Sequence, residues 1–208
     1  MQDAEEKSVA VIFGVMGACR RQEMHNLKYD DVRDLDDTTL LVQLFNTKNK
    51  LDRTFTITGN YYSICKQYMS LRPNHCKSVN FFIRYSAGKC MDQNVGINTF
   101  GNMGKTVASY LNLSEPHLYT GHCFRRTSAT LLIDSGGNIT DLKRHGAWKS
   151  TTVAEGYIDT SMQTKLKVSE KLMGSIDFAG PSTTTSEAAC MPGTSKGLET
   201  EVLQNIST

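Results

Sequence analysis

The chain has 208 residues, 39% hydrophobic and 21% charged, enough for one sizeable core and ordinary for a globular protein. No run of about 18 apolar residues exists, so no transmembrane span is expected. Residues 8–18 are apolar but follow acidic residues, which argues against a secretory signal peptide. The net charge of +2 is uneven. Setting aside Lys196, Asp177, Glu187, Glu199 and Glu201, all beyond Ser175, leaves 22 basic against 17 acidic residues. That surplus is a modest nucleic-acid footprint and proves nothing alone.

Residues 4–18 read as a buried helix that delivers Cys19, Arg20 and Arg21. Gln22 to Leu27 reads as a short helical segment with Glu23 in its first turn. Asp30 to Asp37 is an acidic loop. Thr38 to Phe45 and Arg53 to Ile57 carry β-branched and alternating residues, which predicts a β-hairpin with Lys48 and Lys50 at its polar tip. Tyr61 to Leu71 is an amphipathic helix stopped by Arg72-Pro73. Asn74 to Gly96 reads as irregular, with a brief strand at Val79 to Ile83 and no assigned chemistry. Ile97 to Leu113 is helical in pattern.

The stretch from Tyr119 to Asp159 organises the rest. His122 and Arg125 stand three apart, the spacing of neighbours on one helix face. An apolar helical pattern follows, then a Gly136-Gly137 stop. Asn138 is a plausible N-cap for a helix to His145. Trp148 and Tyr157 close the stretch, nine residues apart, with Lys143, Arg144, His145 and Lys149 around the Trp. A proton shuttle beside a fixed cation suits an anionic substrate, and a downstream tyrosine suits a nucleophile. Thr160 to Gly174 is one more helix, with Leu166, Leu172 and Met173 on an apolar side. Ser175 to Thr208 has the composition of a disordered tail, with a short helix expected at Leu198 to Ile206. Residues 1–174 therefore read as one domain and 175–208 as the tail.

This pattern resembles the tyrosine recombinase (phage integrase) family over roughly residues 8–160. There the second half of the active site reads H-x-x-R, then His or Trp, then the nucleophilic Tyr nine residues on; here these are His122, Arg125, Trp148 and Tyr157. The family's earlier motif, G-x-R-x-x-E followed by a leucine, matches Arg20, Glu23 and Leu27, with Gly17 one place further away than usual. Arg21 is the alternative to Arg20. The family's mobile β-turn lysine matches Lys48, ahead of the R-x-F-x-I strand, with Lys50 as fallback. His145 lies twelve residues before Tyr157, so the Trp takes the family's His/Trp slot.

The resemblance implies a mainly α fold with a small β-hairpin or sheet. It implies DNA strand exchange (recombination, integration or transposition) through a 3′-phosphotyrosine, with no cofactor or metal. Arg20 and Arg125 would bind the phosphate, Lys48 would be the general acid, His122 would assist, and Trp148 would donate its indole N–H. Glu23 would brace the site. Arg21, Arg126, Lys143, Arg144 and Lys149 are the DNA-backbone candidates. Arg125→Ala is expected to abolish cleavage and change stability little.

Double-stranded DNA is the implied partner, with homo-oligomers on it and the helix after Tyr157 docking on a neighbouring protomer. The implied location is nuclear in a eukaryote and cytoplasmic otherwise, with no membrane association and no secretion. The family's N-terminal clamp domain would come from a longer protein or another chain, or the protein would hold DNA poorly alone. The alternatives are a domesticated or truncated DNA-binding module and type IB topoisomerase-like nicking and resealing. The six cysteines (Cys19, Cys65, Cys76, Cys90, Cys123, Cys190) show no metal-ligand spacing and read as free thiols.

Overall fold

A computed structural model describes residues 2–45, 52–86 and 89–175. Lys48, Lys50 and the tail from residue 176 lie outside the described residues. Among the described residues, eight α-helices and five strands follow in order: α1 (Gln2–Met16), α2 (Arg21–Asn26), β1 (Val32–Asp34), β2 (Thr39–Leu44), β3 (Arg53–Thr58), α3 (Gly59–Ser70), β4 (Ile83–Ser86), β5 (Lys89–Asn94), α4 (Ile97–Tyr110), α5 (Cys123–Asp134), α6 (Ile139–Gly146), α7 (Thr151–Thr160) and α8 (Met162–Ser175).

The first three strands form an antiparallel sheet in the order β1-β2-β3, with Leu40 opposite Ile57, Val42 opposite Phe55 and Leu44 opposite Arg53. Period-two alternation decides its faces: Arg53, Phe55 and Ile57 are buried, while Thr54, Thr56 and Thr58 are exposed. The acidic stretch expected to be a loop contains β1 and a 3-10 turn at Tyr29–Asp31. Residues 74–96, expected to be irregular, contain the β4–β5 hairpin, with a register shift between Ile83 and Tyr85. Its second strand is mostly exposed, so it carried no alternation to read.

Two apolar clusters form the interior. The larger surrounds α1, where Phe13 meets Phe55 edge-on at 5.7 Å and lies 5.1 Å from Phe81. The smaller joins Ala18, Ala129, Ile133, Leu142, Trp148 and Ala154 beneath α5, α6 and α7. Ala18 therefore stands where the end of α1 meets the second cluster. The helix α8 buries no residue, and Leu166, Leu172 and Met173 are half or more exposed. No helix among the described residues is long and apolar enough to cross a membrane.

Candidate active site

Helix ends leave their last carbonyls without intrahelical partners. The end of α1 is turned by Ala18, which takes a left-handed φ of 45°. The carbonyls exposed there are met by guanidinium groups. Arg53 donates from Nη1 to the Gly17 carbonyl and from Nη2 to the Ala18 carbonyl at 3.3 Å. Arg125 donates from Nη1 to the same Ala18 carbonyl at 2.5 Å.

The end of α6 is built alike. Ala147 is left-handed (φ 50°, ψ 48°), and the Trp148 N–H reaches back to the Lys143 carbonyl at 3.1 Å. Arg53 donates to the His145 carbonyl at 2.8 Å and Arg125 to the Gly146 carbonyl at 2.5 Å. Two helix C-termini thus face two arginines, the sign that the helix dipole favours.

Glu23 completes the frame on the other side. Its Oε2 accepts from Arg53 Nη2 at 2.7 Å and from the Arg20 backbone N–H at 2.9 Å. Its Oε1 accepts from Arg20 Nη1 at 2.6 Å. The backbone contact is one half of a capping box, formed because Glu23 is the third residue of α2. Burial pushes the Glu23 carboxyl up, but Arg53 and Arg20 outweigh it and hold the carboxyl below its usual range.

The downstream residues form a stack. The Arg125 guanidinium lies 4.1 Å from the centre of the Trp148 ring. Trp148 lies 5.3 Å from the Tyr157 ring, tilted by 55°. Trp148 is buried and Tyr157 half-buried. The Trp indole N–H makes no hydrogen bond among the described residues. Arg125 is 5% exposed; burial, then the Arg20 and Arg53 cations, bring its pKa down to about 10. It stays charged at neutral pH.

His122 immediately precedes α5 and is exposed. Partial burial, then Arg125, Arg126, Arg21 and Arg20, pull its pKa below the usual histidine value. Its ring is therefore neutral at neutral pH and able to take a proton. With Arg20, Arg21, Glu23, Asn98 and Thr120 it lines a cleft of about 860 Å³. Arg125, Trp148 and Tyr157 are not part of that cleft's wall.

The structure thus brings Arg20, His122, Arg125, Trp148 and Tyr157 into one electrostatically linked group. Among the backbone candidates, Arg21 and Arg126 are exposed, and the charge of each bears on His122. Arg144 and Lys149 are also exposed, and Lys143 Nζ donates to the Thr151 hydroxyl at 3.0 Å. Cys19 and Cys123 flank the arginine and the histidine without thiolate character. Burial pushes the Cys19 thiol up to about 12 and raises that of Cys123.

Sequence reasoning missed Arg53, which read only as the first residue of a strand. The available signal was parity: it shares the inward face with Phe55 and Ile57, where a lone arginine needs a buried partner.

A family model described as the phage integrase family matches residues 2–164. The chain belongs to the phage integrase family. No curated protein matches its sequence. Solved structures match its fold. The XerH site-specific recombinase, in a post-cleavage complex with palindromic difH substrate, superposes with a TM-score of 0.65 at 14% identity. That match covers 83% of this chain and 47% of XerH. The XerA recombinase gives 0.64 at 17%, covering 82% and 59%. The Tn1549 transposon integrase, in complex with a circular-intermediate DNA, gives 0.57 at 18%, covering 79% and 57%. This phage integrase family member has the fold of their catalytic domains and spans about half the length of those chains.

Proposed function

We propose that this chain breaks and rejoins DNA by strand exchange, with Tyr157 as nucleophile. The observation that supports it most is the continuous contact from Arg125 through Trp148 to Tyr157, beside Arg20 and a neutral His122. The Tyr157 oxygen attacks phosphorus, a 3′-phosphotyrosine forms, and the bond to the 5′-oxygen breaks. His122 serves as the base. Lys48 gives a proton to the leaving oxygen. Arg20 and Arg125 hold the non-bridging oxygens, where charge grows as the bond breaks. The phosphotyrosine keeps the energy of the bond, so attack by a 5′-hydroxyl reseals it. Arg21, Arg126, Lys143, Arg144 and Lys149 bind the flanking backbone.

The test is covalent trapping. Wild type and Tyr157→Phe are incubated with a random pool of nicked suicide duplexes and run on a denaturing gel. An adduct in wild type alone is expected, and its DNA identifies the site. An equal adduct in Tyr157→Phe overturns the assignment. The exposed apolar residues of α8 support docking on a second protomer on DNA. A complex that stays monomeric per chain on a two-site duplex overturns that part.

A further inference from the structure

The sequence separates Cys76 from Cys90 by fourteen residues, and no metal-ligand spacing shows. The fold removes that separation. One ligand atom from each of Cys76, Cys90 and Asp92 lies within 4.8 Å of the other two. Cys76 sits in the segment before β4, and Cys90 and Asp92 lie on β5. Cys90 is paired with Tyr85, and the ladder slips between Tyr85 and Ile83. Asp92 takes a left-handed φ of 53° within that slip, the local kink a bulge produces. Its carboxylate accepts from the Cys76 thiol and, at 2.8 Å, from the Lys77 backbone N–H.

We propose that Cys76, Cys90 and Asp92 form a binding site for a zinc-class divalent cation, held by two thiolates and one carboxylate. The donor set is the argument. Two soft sulfurs with one oxygen select zinc over magnesium or calcium, which take oxygen alone. Tetrahedral zinc with bonds of about 2.3 Å to sulfur needs sulfurs about 3.8 Å apart, so a contraction of at most about 1 Å closes the set. The Lys77 N–H fixes the carboxylate as outer partners of metal ligands do. The fourth position would fall to His75, whose charge bears on Asp92, or to water. Both cysteines are half-buried, so the ion has a path in. On binding, the two thiols release their protons to solvent and no redox change occurs.

The site would fasten the β4–β5 hairpin to the segment leading into Asn80. That segment supports α2: the Asn80 side chain donates to the His25 carbonyl at 2.8 Å, and the Phe81 N–H to the Leu27 carbonyl at 2.8 Å. A cation at Asp92 therefore stiffens the wall that carries Arg20 and Glu23.

The test is titration of the reduced chain with cobalt(II), then displacement by zinc against a chromophoric chelator. Wild type is expected to take one equivalent, with a thiolate-to-cobalt charge-transfer band and a raised melting temperature. Cys76→Ser and Cys90→Ser are each expected to lose more than the ~10–100-fold in affinity that an outer partner is worth. Asp92→Asn, on the exposed strand, keeps the test open if a cysteine variant fails to fold. Cys123→Ser, outside the cluster, is expected to bind as wild type. No charge-transfer band in reduced wild type, or affinity unchanged in all three ligand variants, overturns the proposal.

Discussion

Arg125 has two demands on one guanidinium. Of the five N–H donors an arginine carries, two are bound to the Ala18 and Gly146 carbonyls, and the plane rests on Trp148. The expectation that Arg125→Ala would change stability little does not survive this geometry. Its loss strands the buried Gly146 carbonyl and leaves the Ala18 carbonyl only its 3.3 Å contact from Arg53, a destabilisation of about 1–3 kcal/mol by urea unfolding. An inactive Arg125→Ala is thus a weak test of chemistry, and Tyr157→Phe, which keeps the ring, is the stronger one. Glu23→Gln breaks the ion pair with Arg53, both side chains 6% exposed, and is expected to cost about 3–5 kcal/mol.

His145 makes a pH prediction at the same scale. Its Nε2 lies 2.7 Å from the Ser128 hydroxyl; burial, then Arg53 and Arg125, bring its pKa down to about 4. The unfolded chain takes up that proton near pH 6.5. Between these values the unfolded state binds more protons, so stability is full above about 6.5 and falls as pH drops towards 4. After screening at this half-buried position the loss is on the order of 1–2 kcal/mol. Denaturation midpoints across that window should flatten in His145→Gln; an unchanged slope assigns the effect elsewhere. The nearness of His122 to Arg125 was legible because it is local, three residues apart at the start of α5. The bracing role of Arg53 was not, because its partners come from residues 17, 18, 23 and 145.

Elements meet at this site by close approach of helix ends. A Cβ on Gly17 would overlap the Phe55 ring, and one on Gly146 would overlap Trp148. Gly17→Ala should therefore cost about 1–3 kcal/mol through overpacking, and shift the Ala18 carbonyl that both arginines hold. Gly156 is the contrasting case: it lies within α7 with open space around its Cα. Gly156→Ala should raise stability by up to about 1 kcal/mol, read as a higher melting temperature. The α1, β2–β3, α3 and α5 elements were readable because each has one buried face and keeps its period. The hairpin β4–β5 was not, since Phe81 and Phe82, its strongest apolar signal, lie just before β4 and anchor the core rather than a strand.

At the scale of the whole molecule, the two apolar clusters meet at Ala18, and the arginine frame lies along that junction. If DNA is held over it, affinity should fall steeply with salt, because each phosphate contact releases counterions. Replacing Arg144 or Lys149 with Gln should lower the slope of log affinity against log salt by about 0.9 each, measured by fluorescence anisotropy. A slope unchanged by both would place the duplex elsewhere. The arginine frame also alters how relatives of this chain should be judged. Arg53 and Arg125 tie two helix ends together, so a relative with no DNA chemistry at all would still be obliged to keep them in order to fold. Their presence is poor testimony to a working enzyme. His122, exposed and with a ring that makes no hydrogen bond among the described residues, is held by no such obligation and is the better witness.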